Sequence, residues 1–283
     1  MTWQLSQLTY ELLSPLHIGY HKIGNLQRTR YYIPARNIWG GVAERLTRSG
    51  FQATDAPKGD YEKIGDWVKT HFAFGYWFIR QGNEDFAPHY SDNELKYGRL
   101  TEAEFERRYL DSHVTTALDA ATTSAEEGSL HEVEFIAAYN QSSLRTCIGG
   151  WVLMDEIARN VLGEETKWHT WLDNLQIGGE RRYGFGRLRM VSIKLADESG
   201  WALNETRPHL QIKKGNPLLA HTRTEGVVAR GQIEPFMGRE THRDSRLFGQ
   251  VLTRAQICWT PGSVAETGME FKITEMGVWD KTE

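Results

Sequence analysis

Gly178-Gly179-Glu180-Arg181-Arg182-Tyr183-Gly184-Phe185-Gly186-Arg187 is the stretch on which the reading of this chain turns, and an alternating apolar segment follows it directly. Glycines at this density admit positive φ and let backbone approach a ligand closely. Arginines offer paired donors to phosphate, and aromatic faces stack on bases. The combination suits RNA. The plainer alternative is a glycine-rich turn feeding a strand with merely solvated arginines, because short glycine motifs recur by chance.

The charge around this stretch supports the first reading. The chain carries a net charge of −4, distributed unevenly. Residues 17–50 hold Lys22, Arg28, Arg30, Arg36, Arg45 and Arg48 against Glu44 alone, and residues 178–194 hold Arg181, Arg182, Arg187, Arg189 and Lys194 against Glu180. Two basic segments in an otherwise acidic protein are the pattern of a local groove that faces phosphate. The competing reading is a pair of solvated basic faces.

With 283 residues, 40% of them hydrophobic and 11% aromatic, the chain can bury a sizeable core in one large or two small domains. No apolar run approaches membrane-spanning length, and Met1-Thr2-Trp3-Gln4-Leu5 lacks a charged and apolar leader pattern, so a cytoplasmic protein without a membrane partner is expected. Cys147 and Cys258 are the only cysteines, and the histidines are scattered, so neither a disulfide framework nor a metal or other cofactor is expected.

Periodicity predicts an α+β order. Residues 3–13 alternate as a strand, and Ser14-Pro15 ends it. After Pro34, the apolar residues Ile38, Trp39, Val42, Ala43 and Leu46 recur at helical spacing through Arg48. Segment 51–66 reads as loop, and 66–79 as a buried helix or strand. Thr101-Glu102-Ala103-Glu104 has capping-box spacing before a short helix to Leu110. Residues 130–139 and 143–153 read as a strand pair around Asn140-Gln141-Ser142, followed by a helix at about 164–175 and a strand over 184–195. This is the order of a split βαβ, ferredoxin-like (RRM-like) unit over residues 1–198, with an insertion around 51–112. Residues 199–283 read as a second, smaller β-rich module. Within it, Ile233 to Arg243 mixes charge, glycine and apolar residues and is a candidate protein-docking loop.

These residues also resemble a known family. Pro15-Leu16-His17-Ile18-Gly19, then Tyr32-Ile33-Pro34-Ala35-Arg36 opening a helix through Gly40-Gly41, then Asp-x-x-Thr-x-x-Ala-x-x-Gly-x-Leu from Asp119 to Leu130, then the glycine-rich loop, follow the order seen in the RAMP superfamily. The resemblance covers roughly residues 5–195. It implies a ferredoxin-fold, RNA-binding subunit of a type III CRISPR effector complex, most like the subunit that caps the CRISPR RNA at its repeat-derived 5′ handle. The implied partners are that RNA, a large polymerase-like subunit and backbone RAMP subunits.

On this reading Arg28, Arg30 and Arg36 track phosphates, together with His17, Gly19 and Lys22 of the preceding loop. Gly178, Gly179, Gly184 and Gly186 let amides approach the RNA. Arg181, Arg182 and Arg187 complete the groove, and Tyr183 or Phe185 stacks on a base. Residues 12–43 contain neither Asp nor Glu, so metal-assisted slicing from the first loop is not expected. Asp119 reads as a turn or cap carboxylate. The rival is a metal-independent processing endoribonuclease, with His17, His21, Lys22 and Tyr31 as candidate acid, base and charge-stabilising groups. A repeated backbone subunit, or a scaffold with little RNA contact, would also fit the same residues.

Overall fold

The computed structural model of the protein describes residues 2–117, 124, 129–163, 165–240 and 251–282. Its centre is strand β1 (Gln4–Leu12), whose Leu8, Tyr10 and Leu12 are almost fully buried. On one side β1 pairs antiparallel with strand Cys147–Met154, which pairs antiparallel with Trp77–Gln81. On the other side it pairs antiparallel with Arg187–Leu195. Short strands Leu175–Gln176 and Tyr32–Ile33 close the two edges of this sheet. The result is a mixed α/β fold.

Helix α1 (Ala35–Arg48) follows Pro34, whose extended backbone sits at the N-cap, where the missing N–H costs nothing. Ile38, Val42 and Leu46 recur at i, i+4, i+8 and are buried, while Arg45 and Arg48 fall in the last turn, where the helix dipole favours cations. Gly41 is what lets the helix lie close to the sheet edge. A Cβ there would stand 2.7 Å from Ile177 Cγ1.

The stretch expected to be loop contains helix α2 (Tyr61–His71). Asp60 caps it by accepting from the Lys63 amide, and Ile64, Trp67 and Val68 turn inward. The ambiguous segment after it divides into the last turn of α2 and two strands, Phe72–Phe74 and Trp77–Gln81. Helix α3 (Glu102–Tyr109) has both halves of the expected capping box, Thr101 and Glu104 each satisfying the other's backbone amide.

The two strands expected to form one hairpin instead belong to different sheets. His131–Ile136 lies between Leu110–Thr115 and strand β3 (Leu26–Thr29) in a four-stranded sheet edged by strand β2 (Gly19–Ile23), whereas Cys147–Met154 sits beside β1. The Asn140 side chain accepts from the amides of Ser142 and Leu144, turning the chain from one sheet to the other. Alternation identifies a strand but not its neighbour.

Residues after 200 build a seven-stranded sheet, from Trp201–Ala202 at one edge to Ile233–Phe236 at the other. One continuous hydrophobic core runs from Leu8, Tyr10 and Trp77 to Phe271 and Trp279. Arg207 ties the two parts together. Its guanidinium donates to the carbonyls of Lys69 (3.0 Å) and Phe72 (3.1 Å) on one side and of Ile273 and Thr274 (both 3.3 Å) on the other. Burial pulls its pKa down to about 10.

Candidate nucleic-acid interface

The glycine-rich stretch forms a long turn between Leu175–Gln176 and Arg187–Leu195, which pair antiparallel. Arg181–Tyr183 make one 3₁₀ turn inside it, so the segment is not an alternating strand. Gly186, at φ +77°, is where a side chain is forbidden: a Cβ there would stand 1.8 Å from the Ile177 carbonyl oxygen. The turn is pinned to the loop after β1. Gly186 N–H donates to Pro15 O at 2.7 Å, Gly179 N–H to His17 O at 2.8 Å, and Arg187 N–H to Ser14 Oγ at 3.0 Å.

These bonds change the role expected of the glycines. The amides of Gly179 and Gly186 are spent on the first loop, and that of Gly184 on Arg181 O. Three of the four glycines therefore shape and anchor the turn rather than offer donors to a ligand. The two aromatics divide in the way the sequence left open. Tyr183 is 76% exposed, while Phe185 is half-buried and meets Phe135 edge-on at 5.4 Å.

The turn faces the C-terminal half of α1 across an open cleft of about 520 Å³, lined by Arg45, Arg48, Gln176, Gly184 and Arg187 among others. Arg45 holds the cleft's wall by donating to Asp173 O (2.8 Å) and Thr170 O (3.1 Å). Glu44 is the cleft's carboxylate and takes both Arg48 and Arg181, each at 2.9 Å. The Arg48 side chain is 71% exposed, and Arg182 and Arg187 are exposed and bind no carboxylate among the described residues. The two basic segments thus meet, with the first represented by Arg45 and Arg48 of the helix.

The arginines to which the sequence assigned that meeting lie elsewhere. Arg28 contacts Glu106 (3.1 Å), Glu134 (3.4 Å) and the Tyr31 hydroxyl. Arg30 contacts Glu234 at 2.7 Å and the Tyr32 hydroxyl at 3.0 Å, under the face of Tyr20. Both line a separate cavity, and Arg36 donates to Arg239 O at 2.8 Å. Glu106, Glu134 and Glu234 lie far off in sequence, so nothing local to the basic segment signalled this neutralisation.

The candidate acid–base residues do not share one environment. His17 is 5% exposed and donates from Nδ1 to Glu134 O at 2.7 Å, with Gly179 over its ring. Tyr31 is buried, its hydroxyl bonded to Glu106 at 2.5 Å, and burial drives its pKa far up. His21 and Lys22 stand exposed on β2 beside Gly19, His21 against the Tyr20 ring. Asp119 and most of the Asp119–Leu130 motif lie outside the described residues, as do the last residues of the Ile233–Arg243 segment. Among the described residues no group of three His, Cys, Asp or Glu side chains is arranged to hold a metal, and no helix is long and apolar enough to cross a membrane.

Two chains of solved assemblies share this fold. One belongs to the cryo-EM structure of the Type III-B Cmr-beta bound to cognate target RNA and AMPPnP, with a TM-score of 0.56, 12% identity, and 92% of this chain and 86% of that chain covered. The other belongs to the Type III-B Cmr-beta bound to cognate target RNA, with a TM-score of 0.54 at the same identity and coverage. No curated protein sequence matches the chain. The sequence model of the RAMP superfamily matches residues 9–189, which takes in the end of β1, the first loop, α1 and the whole glycine-rich turn, and the chain therefore belongs to the RAMP superfamily.

Proposed function

We propose that this chain is a non-catalytic, CRISPR-RNA-binding subunit of a type III effector complex, and that it caps the repeat-derived 5′ handle. The observation that carries the reading is the cleft between α1 and the glycine-rich turn, where exposed Arg48 and Arg187 line the wall, Arg48 and Arg181 share the carboxylate of Glu44, and Arg182 stands exposed on the same turn. Guanidinium forks suit phosphate oxygens, and the exposed Tyr183 suits an unpaired base. Membership of the RAMP superfamily and a fold shared with chains of RNA-bound Cmr-beta assemblies support the same reading. A ferredoxin-like core is part of it, supported by the all-antiparallel order of Arg187–Leu195, β1, Cys147–Met154 and Trp77–Gln81 with α1 after the first strand. The partners are the CRISPR RNA, a large polymerase-like subunit and the first backbone subunit.

Binding is tested by titrating a handle RNA at two salt concentrations against the native chain and an Arg181→Ala, Arg182→Ala double variant. Weaker binding across sequences and a flatter salt dependence are expected. Unchanged affinity removes the cleft from the RNA path. Incubation with repeat RNA in EDTA tests the non-catalytic role. A discrete cut abolished by His21→Ala overturns it.

A further inference from the structure

A second cavity, of about 110 Å³, lies where β3 and the residues after it meet the insertion strands Pro88–Ser91 and Glu94–Tyr97 and the C-terminal module. Five tyrosines line it: Tyr20, Tyr31, Tyr32, Tyr90 and Tyr97. It has room for several waters, enough for the head of one long side chain. Two guanidinium groups, Arg28 and Arg30, and two carboxylates, Glu102 and Glu234, complete the wall.

The charges around this cavity do not cancel. Arg28 is shared between Glu106 and Glu134, and Arg30 is taken by Glu234. Glu102, exposed at the start of α3, has no ion-pair partner of its own among the described residues. His221 adds no cation at neutral pH, because burial pushes its pKa down to about 4. It accepts from Tyr76 at Nδ1 (2.7 Å) and donates from Nε2 to Glu234 (2.5 Å). Counting Glu106 and Glu134, which bind Arg28 but do not line the cavity, four carboxylates stand against two guanidinium groups, an excess that disfavours phosphate.

Two polar groups on the wall lack partners. The Tyr90 hydroxyl is shielded from solvent and makes no hydrogen bond among the described residues. Tyr97 is 5% exposed, its ring stacked on Phe105 at 4.4 Å, and its hydroxyl has no hydrogen-bond partner among the described residues. A shielded hydroxyl left unpaired is costly, so a donor entering the cavity would relieve Tyr90, and the Tyr97 hydroxyl offers a second acceptor. The faces of Tyr20, Tyr31 and Tyr32 already carry Arg30 and Arg28, so the unpaired phenol oxygens and the surplus carboxylates are what favour a cationic guest.

We propose that this cavity receives the cationic head of an arginine or lysine side chain presented by a neighbouring polypeptide. The assignment does not rest on the RNA-binding role of the first cleft. It uses different residues and the opposite charge.

The test is ligand-observed saturation-transfer NMR on the full chain with N-acetyl-arginine methylamide, its neutral citrulline counterpart, agmatine and uridine monophosphate. The capped arginine is expected to give a signal that citrulline does not. Glu102→Gln is expected to weaken it about two- to fivefold, and Tyr97→Phe to weaken it while keeping the native circular dichroism and melting temperature. Equal signals from arginine and citrulline, or no change in either variant, overturn the proposal. Binding of agmatine without the capped arginine gives the cavity to a free amine instead. Uridine monophosphate binding that the two variants abolish gives it to RNA.

Discussion

Arg181 of the glycine-rich turn and Arg48 of α1 reach the same carboxylate, Glu44, each at 2.9 Å. One acidic side chain thus holds together two basic segments that are more than a hundred residues apart in sequence. Glu44 is only 22% exposed, which leaves the outer faces of both arginines to solvent.

Glu44→Gln separates the clamp from the ligand site. Removing the carboxylate frees two guanidinium groups toward the cleft, so RNA affinity should rise and its salt dependence steepen, by up to about 0.7 in slope for each further phosphate of a single strand that is engaged. The cost in stability should stay within about 1 kcal/mol, as for a partly exposed pair. Titrations at several salt concentrations and a denaturant melt measure both. A variant that binds RNA less tightly would show that Glu44 organises the site rather than restraining it.

Arg187→Ala tests phosphate contact without disturbing the clamp. The side chain is exposed and binds no carboxylate among the described residues, so stability should change by less than about 0.5 kcal/mol. Binding should weaken similarly for all RNA sequences, with a slope shallower by about 0.7. A sequence-selective loss would assign Arg187 to a base edge.

Tyr183 and Phe185 should separate function from folding. Tyr183→Ala is expected to leave the melting temperature unchanged and to cost about 1–3 kcal/mol of single-strand binding if the ring stacks on a base. Phe185→Ala removes the edge-on contact with Phe135 and should cost about 1–2 kcal/mol of stability. Calorimetry of both variants with and without RNA distinguishes the two outcomes.

Gly186→Ala should break the turn. The residue needs φ +77°, and its new methyl would meet the Ile177 carbonyl oxygen at 1.8 Å, so a loss of at least about 2 kcal/mol is expected, together with RNA binding. A variant as stable as the parent would mean that the turn adopts another conformation in solution.

The pair His221 and Glu234 predicts acid lability. Burial holds His221 neutral with its pKa lowered from 6.5 to about 4. For Glu234, burial acts upward, but the His221 hydrogen bond and Arg30 outweigh it and bring the value down to about 2. The unfolded chain therefore binds the His221 proton first, and stability present above pH 6.5 is lost as pH falls toward 4. Glu234 extends the loss from about pH 4.5 toward 2. For His221 the change is on the order of 2–3 kcal/mol. Denaturant unfolding at pH 7, 5.5 and 4.5 should show it, and His221→Gln should flatten the decline.

Much of the scaffold is legible in the sequence. Ile38, Val42 and Leu46 announce α1, and Thr101 with Glu104 announces α3, because helical spacing and capping are local chemistry. The hairpin expected at 130–153 fails because alternation carries no information about which strand lies alongside. Helix α2 is missed although Asp60 marks its start. In the candidate site, the two basic segments come together, but through other residues than the sequence suggested. Arg28 and Arg30 look free in sequence, yet their carboxylates sit 78, 106 and 204 positions away. Arg45 and Arg48, counted in the basic segment but given no individual role, are the ones that line the cleft opposite the turn.

Arg207 determines how the polypeptide can be dissected. Its guanidinium occupies a socket whose rims are contributed by Lys69 and Phe72 on one side and Ile273 and Thr274 on the other. A fragment truncated near residue 198 would keep one rim, lose the plug, and bare the apolar seam that Phe271 and Trp279 cover in the intact chain. The tail is thus a keystone for the first two hundred residues, and shortened versions intended for RNA assays should aggregate unless that tail is supplied in trans.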